Sequence, residues 1–252
     1  MSGYLAFVKK ELIENIKNHR FLILFAVFLI FGIASAFLAK FTPEILSALA
    51  ANVEMSSEPV ALDAWKQFYK NSSGVGFSAF IILFGSCLSS EYSKGTLVLM
   101  VTKGLSRKAV ILAKYTVAAV LMTVSYWISY AATYGCTAFL WNNAAPPNVA
   151  LAAFALWIIG FLYLSVLMVG CVIFNQTFTS ILFTGGTIAL ISFLGIVDPI
   201  AKFSPFILTT QNVDLISGTA APSDFIIPAL LSITISVLGL LLATKLFNKK
   251  QL

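Results

Sequence analysis

One stretch of the chain constrains the fold more than any other: residues 115–197 contain no Asp, Glu, Lys, Arg or His. A soluble domain keeps many charged side chains at its surface, because they are rarely buried without a partner. A membrane span, in contrast, needs about 20 mostly apolar residues and tolerates charge poorly at its centre. The whole chain is 59% hydrophobic and only 10% charged. We therefore predict an all-α polytopic membrane protein.

Turn-forming clusters divide the uncharged stretch into several spans. The breaks lie at residues 141–148, which contain three Asn and two Pro, and at residues 175–178. Three further apolar windows flank the stretch, and we predict that the first of them is retained rather than cleaved as a signal. The sequence thus predicts a single transmembrane domain over residues 1–252, without a nucleotide-binding domain. Its six spans are expected near 21–41, 71–91, 110–139, 150–174, 179–197 and 225–247.

The basic residues predict the orientation of the six spans. An even number of spans places both termini on one side, and Lys and Arg concentrate in cytoplasmic loops. One side carries Lys9, Lys10, Lys17, Arg20, Lys94, Lys103, Arg107, Lys108, Lys114, Lys245, Lys249 and Lys250. We therefore expect cytoplasmic termini in a bacterial-type cell membrane. The net charge of +6 then reflects topology, and no nucleic-acid partner is expected.

The chain lacks the side-chain sets that catalysis or ion coupling would need. It has no phosphate-binding G-x-x-x-x-G-K-[ST] loop, and its one histidine, His19, stands among basic residues. Cys87, Cys136 and Cys171 have no metal-binding spacing, and we interpret them as small apolar packing residues. We expect no catalytic residue, no metal site and no cofactor in this chain. The span interiors carry no charge for a coupled ion, which disfavours a secondary carrier.

The connection between spans two and three is too apolar to be a solvated loop. Residues 96–102 form an apolar run between Gly95 and Gly104, too short to cross a membrane. The glycines predict the ends of a short helix at the membrane surface, and Ser106 is expected to cap span three. This helix either docks a partner or lies in the interface without one.

The first 20 residues show a second amphipathic pattern. Residues 4–18 place apolar side chains on one helical side and charged ones elsewhere. We predict an interfacial helix whose apolar side consists of Tyr4, Leu5, Val8, Leu12 and Ile16.

The motif E-x-x-x-G-T-L-x-x-x-x-x-x-G-x-S-R-x-x-x-x-x-x-K, from Glu91 to Lys114, resembles the coupling region of ABC-2 type transporter permeases. The family usually has proline at the position of Gly104. The resemblance implies an N-terminal elbow helix, a cytoplasmic coupling helix, and short external helices between spans five and six, where residues 198–224 lie. The residues that it implies for coupling to an ATPase are Glu91, Lys94, Gly95, Thr96, Leu97, Leu99, Met100 and Arg107.

The same resemblance implies a mechanism and partners. Two permease subunits, identical or different, would form the pathway, and two separate ABC ATPase subunits would supply ATP and Mg²⁺. The cargo would be an amphipathic molecule that is exported, such as a peptide antibiotic, a drug or a lipid-linked molecule. Two alternatives stay open: an ion-coupled secondary carrier, and a nontransporting scaffold or sensor that docks a cytoplasmic partner.

Span three carries a polar side that can line such a pathway. Its members are Thr123, Tyr126, Tyr130, Thr133, Tyr134 and Thr137. The alternative is interhelical hydrogen bonding, which is ordinary for Ser, Thr and Tyr in membranes. In the external loop 42–70 we interpret Trp65, Phe68 and Tyr69 as anchors at the lipid headgroups.

Overall fold

A computed structural model describes residues 3–49, 58–93, 95–102, 104–142, 145–195 and 200–250. Within these ranges the chain forms helices and no strand. The α-helices are α1 (Gly3–Lys17), α2 (Arg20–Leu49), α3 (Ala61–Asn71), α4 (Phe77–Phe84), α5 (Ser89–Ser93), α6 (Thr96–Thr102), α7 (Arg107–Leu140), α8 (Val149–Ile173), α9 (Thr177–Leu194), α10 (Ile207–Thr210), α11 (Asn212–Ser217) and α12 (Ile226–Lys249).

Six segments of the described chain are long and apolar enough to cross a membrane, which confirms the predicted all-α, six-span class. They are Arg20–Ile45, Ala61–Ser93, Arg107–Leu140, Val149–Ile173, Thr177–Leu194 and Pro222–Lys249. The second segment differs most from its predicted window, because its helix begins ten residues before position 71.

Two of the six spans form the centre of the bundle. In α8, 67% of the apolar window is buried, and α7 is nearly as enclosed at 61%, whereas α9 is only 11% buried. Glycine permits the closest approach to this centre. A Cβ atom at Gly32 of α2 would lie 2.8 Å from the carbonyl oxygen of Ser129 in α7, so the two backbones are in direct contact.

Trp65, Phe68 and Tyr69 are core residues, and their interpretation as headgroup anchors was wrong. All three are at most 2% exposed, and the Tyr69 hydroxyl donates to the carbonyl of Val149 at 2.7 Å. The reason is that α3 extends span two into the expected loop and directs its apolar side to the bundle. The spacing of 65, 68 and 69 is helical, so the signal was present in the sequence.

Span two is interrupted twice. Ser72–Gly76 form one π-helical turn, and residues 85–88 form a turn between α4 and α5. Gly76 lies against span one, since a Cβ there would be 2.7 Å from a ring carbon of Phe28.

Short helices fill the connection between spans five and six, as predicted. A 3₁₀ turn (Ile200–Phe203) precedes α10 and α11, and a second one (Pro222–Phe225) leads into α12. Leu208, Leu215 and Ile216 are buried, which explains how an apolar connection avoids exposure. The predicted start of this segment at Asp198 lies outside the described residues.

The contact at Gly32 generates a stability prediction. Gly32→Ala should lower the free energy of unfolding by about 1–3 kcal/mol, because the new methyl group meets the backbone of Ser129 as well as its hydroxyl oxygen, and the backbone cannot move aside easily. Thermal unfolding of the purified protein in detergent measures this. Gly186→Ala is the matched control, since no atom lies within 4 Å of its Cβ position. Equal unfolding temperatures for the two variants would contradict the packing described.

Candidate functional site

The first helix turns a different side to the bundle from the one expected. Phe7, Glu11 and Asn15 are its buried residues, at a spacing of four. Of the predicted apolar side, Tyr4, Val8 and Leu12 pack against the core, but Leu5 and Ile16 are each 51% exposed. The Tyr4 hydroxyl also hydrogen-bonds Thr116 Oγ1 at 2.9 Å. The buried side of α1 therefore carries a carboxylate into the bundle.

That carboxylate belongs to an ion-pair network that joins three elements, which we call the charge network: Lys10, Glu11, Glu14, Glu91 and Lys114. Lys114 Nζ lies 3.0 Å from Glu11 Oε2 and 3.1 Å from Glu91 Oε2. Lys10 Nζ contacts all three carboxylates, at 2.9 Å from Glu11, 2.6 Å from Glu14 and 2.8 Å from Glu91. The network thus ties α1 to the end of span two and the start of span three.

The inner part of the charge network is removed from solvent. The side chains of Glu11, Glu91 and Lys114 are between 4 and 6% exposed. The ring of Phe7 closes one side, with Lys10 Nζ 5.1 Å and Lys114 Nζ 5.9 Å from its centroid. A buried charge that loses its partner typically costs several kcal/mol, so each member depends on the others.

The outer part of the network shifts the pKa of two groups near the surface. Burial alone would lower the pKa of Lys10, but hydrogen bonds to the three carboxylates raise it above its usual value. Partial burial would raise the pKa of Glu14, yet the hydrogen bond from Lys10 lowers it. Both groups are therefore held in their charged forms, which keeps the network intact at neutral pH.

The carboxylates of Glu11, Glu14 and Glu91 come close enough together to serve as ligands for one cation, with ligand atoms within 4.8 Å of each other. Lys10 Nζ is bonded to all three. The ammonium group therefore occupies the position that a metal ion would take, and the cluster acts as an ion-pair site.

The connection between spans two and three is the short helix α6, bounded as the glycines predicted. Gly95 and Gly104 both have positive φ, of 64° and 91°, which residues with a side chain adopt at a cost. Ser106 caps α7 by accepting a hydrogen bond from the backbone N–H of Ala109 at 3.2 Å. The local structure of this connection therefore follows the pattern of its sequence.

The structure divides the residues predicted for ATPase coupling into different environments. Leu97 is buried in the core, while Met100 is half-buried, and the Thr96 hydroxyl donates to the carbonyl of Glu91 at 3.4 Å. Glu91 is engaged inside the charge network, so it holds α5 from within the chain. Lys94 lies outside the described residues, as does the side chain of Leu99.

Arg107 and Lys250 each bind the carboxyl end of a membrane helix. The Arg107 guanidinium donates to the carbonyls of Phe247, Asn248 and Lys250 at the end of α12. Lys250 Nζ donates to the last carbonyls of α8 and lies 4.7 Å from the ring centroid of Tyr92. Cations at helix carboxyl ends complement the helix dipole. Sequence reasoning placed Lys250 on the basic side but missed this contact.

An open groove lies between α1 and the α6 segment. Its volume is about 330 Å³, and apolar atoms form most of its surface. We call this feature the α1–α6 groove. The residues that line it are Gly3, Ala6, Phe7, Lys10, Met100, Gly104 and Leu105. The groove shares Lys10 with the charge network and is also lined by Phe7, whose ring closes one side of that network, so the two features are contiguous.

Half of the six residues on the predicted polar side of α7 hydrogen-bond to other helices of this chain. The Tyr126 hydroxyl donates to the carbonyl of Ala153 at 2.8 Å, and Thr133 donates to that of Gly32 at 2.9 Å. Thr123 Oγ1 accepts from Trp157 Nε1 at 3.1 Å. These are the interhelical hydrogen bonds of the alternative interpretation.

The other three residues of the polar side of α7 make no hydrogen bond to another helix among the described residues. The Thr137 hydroxyl is buried and bonds within its own helix, while Tyr130 is half-buried beside Trp65. Tyr134 is 47% exposed. Lining of a pathway stays a prediction, and Tyr134 is the member best placed for it.

The chain matches the family described as ABC-2 family transporter protein over residues 5–211. This range contains α1 except for its first two residues, the charge network, the α6 segment and the first five spans. None of the curated proteins compared matches the chain.

The charge network generates a prediction about stability. Lys114→Met should lower the free energy of unfolding by about 3–5 kcal/mol, because it leaves Glu11 and Glu91 buried without their cation. Denaturant or thermal unfolding in detergent measures the change. Lys108→Met, an exposed lysine of the same helix, is the control and should unfold as the unmodified protein does.

A rescue variant separates lost charge pairing from lost packing. Adding Glu11→Gln and Glu91→Gln to Lys114→Met removes the unpaired charges and should restore part of the stability. No recovery would show that the contribution of Lys114 is not electrostatic.

Proposed function

We propose, from the premise that this chain belongs to the ABC-2 transporter family, that it is the permease subunit of an ABC exporter. Family membership and six apolar helices make it a multi-pass membrane protein with a permease role and imply association with an ABC ATPase. Beyond this, we propose a particle of two permeases and two ATPases. ATP and Mg²⁺ are bound by the ATPases, and this chain performs no catalysis.

The observation that carries the proposal is that the α1–α6 groove and the charge network lie side by side. The charge network fixes α1, α5 and α7 to one another. The groove lies beside this network, between α1 and the α6 segment. A side chain of a partner that enters the groove would contact apolar atoms of Met100 and Leu105 and the charge of Lys10. Buried apolar anchors beside polar rims are typical of strong protein contacts.

In this proposal α6 is the coupling helix and α1 is the elbow helix. ATP-driven movement of the ATPase pushes on the groove, and the charge network transmits the push to spans two and three. Arg107 carries it to span six through its bonds to the end of α12. Alternating access then follows as a rearrangement of packed helices between two states.

The orientation and cargo are also part of the proposal. The groove lies at the end of the bundle that bears most of the basic residues, which supports a cytoplasmic position for α1, α6 and both termini. The pathway forms at the seam between two permeases, where Tyr134 is exposed enough to contact cargo. An amphipathic cargo suits a wall that is apolar with few hydroxyl groups.

The first test is to purify the tagged chain gently from its native membrane and identify what copurifies. A P-loop ATPase in the complex, with ATP hydrolysis, supports the proposal. If the chain purifies without an ATPase and an ion gradient alone drives flux, it is a secondary carrier. If it retains a different cytoplasmic partner and moves no cargo, it is a scaffold. Either result would refute the proposed function.

A substitution in the α1–α6 groove tests whether the ATPase binds there. Ala6→Trp should fill the α1–α6 groove and reduce the amount of copurified ATPase at least about tenfold, as loss of a strong contact does. The control is Leu5→Trp, which adds the same ring to a position of α1 that is 51% exposed and does not line the groove. Equal recovery of ATPase with both variants would place the docking site elsewhere.

A further inference from the structure

Three sulfur atoms come together where span two is interrupted. The Cys87 thiol lies in the turn between α4 and α5, and its Sγ is 3.9 Å from Sδ of Met168 in α8. Cys171 follows Met168 by about one turn of α8, and its thiol bonds to the backbone two residues before Cys87. Two thiols and a thioether from two elements, α8 and the turn after α4, therefore lie close together.

The interruption of span two helps to hold this arrangement. The Cys171 thiol donates to the carbonyl of Gly85 at 3.3 Å, a group that lies at the helix break. Gly85 is packed tightly, since a Cβ there would lie 2.5 Å from Cγ1 of Ile181. In membranes, broken helices persist where protein or a cavity surrounds them, and they often mark functional positions.

The donor set has the chemistry of a soft-metal site. Thiolate and thioether sulfur favours soft ions such as Cu(I) and Zn²⁺, whereas carboxylate and carbonyl oxygen prefers hard cations. Zn²⁺ sites take four ligands, so a set of three sulfur atoms suits Cu(I) better. With metal–sulfur bonds of about 2.3 Å, a trigonal site would separate its sulfur atoms by about 4.0 Å. The distance of 3.9 Å between Cys87 Sγ and Met168 Sδ meets this requirement for that pair without movement of either side chain.

The surroundings also fit the charge and access that such a centre needs. A monovalent ion with two thiolates and one thioether carries a net negative charge. Arg20 supplies a cation beside it, donating to the Ser86 hydroxyl at 2.7 Å, directly before Cys87. Cys87 is 8% exposed, while Met168 and Cys171 are each 1% exposed, so an ion would enter past Cys87.

We propose that Cys87, Met168 and Cys171 form a binding site for one Cu(I) ion per chain. Binding forms two metal–thiolate bonds and one metal–thioether bond, and both thiol protons pass to the solvent. The metal is already monovalent, so no oxidant or reductant takes part in the step. This site is separate from the α1–α6 groove, and the inference does not depend on the proposed function.

The experiment uses the full-length protein in detergent, without oxygen, with Cu(I) supplied in competition with a colorimetric Cu(I) chelator. We expect one ion per chain and the release of about two protons per ion. Cys87→Ser and Cys171→Ser should each weaken binding at least about 100-fold, and Met168→Leu about tenfold. Cys136→Ser, which removes the third cysteine of the chain, should bind as the unmodified protein does.

X-ray absorption at the copper edge gives a second readout that does not depend on affinity. Three sulfur neighbours at about 2.3 Å and no nitrogen or oxygen neighbour would support the site. Three results would overturn it: no binding under competition, equal binding by the Cys87→Ser and Cys136→Ser variants, or nitrogen and oxygen coordination. Thermal unfolding of each variant confirms that a loss of binding is not a loss of fold.

Discussion

The buried ammonium group of Lys114 is the constraint on which the packing of α1, α5 and α7 depends. Lys114 lies two turns inside a helix that carries no further charge to its far end, and its side chain is only 4% exposed. Such an ammonium group is tolerated only with anions in direct contact. Glu11 and Glu91 meet this need from two other elements. The position of α1 against the bundle is therefore fixed by electrostatics as well as by packing.

The proposed coupling is a consequence of that arrangement. Because the ion pairs of Lys10 and Lys114 connect separate elements, displacing one element would strip several charges of their partners together. An interaction of this kind favours movement of the joined elements as a unit. The helix-end contacts of Arg107 and Lys250 add α12 and α8 to the same unit. In the proposed mechanism, a force applied at the α1–α6 groove would therefore reach spans two, three, four and six without a separate contact to each.

The sequence predicted the features that depend on local pattern and missed those that depend on partners distant in the chain. Apolar length gave the six helices, and Gly95 and Gly104 gave the ends of α6, because both signals lie in neighbouring residues. The partner of Glu91 was not predictable from its loop. Lys114 was expected among the basic residues at the cytoplasmic end of span three, and its burial between Glu11 and Glu91 depends on elements distant in the chain. Cys87 and Met168 are likewise 81 residues apart, so their contact exists only in the folded chain.

The π-helical turn at Ser72–Gly76 has a geometric consequence for span two. In an uninterrupted α-helix, Trp65 and Phe77 would point about 120° apart, so one of them would face lipid. One π turn adds a residue to the helical repeat and reduces that angle to about 20°. Both rings are in fact buried, as is Phe84 farther along. The extra residue realigns the two halves of the span, and deleting it would rotate one aromatic stripe out of the protein.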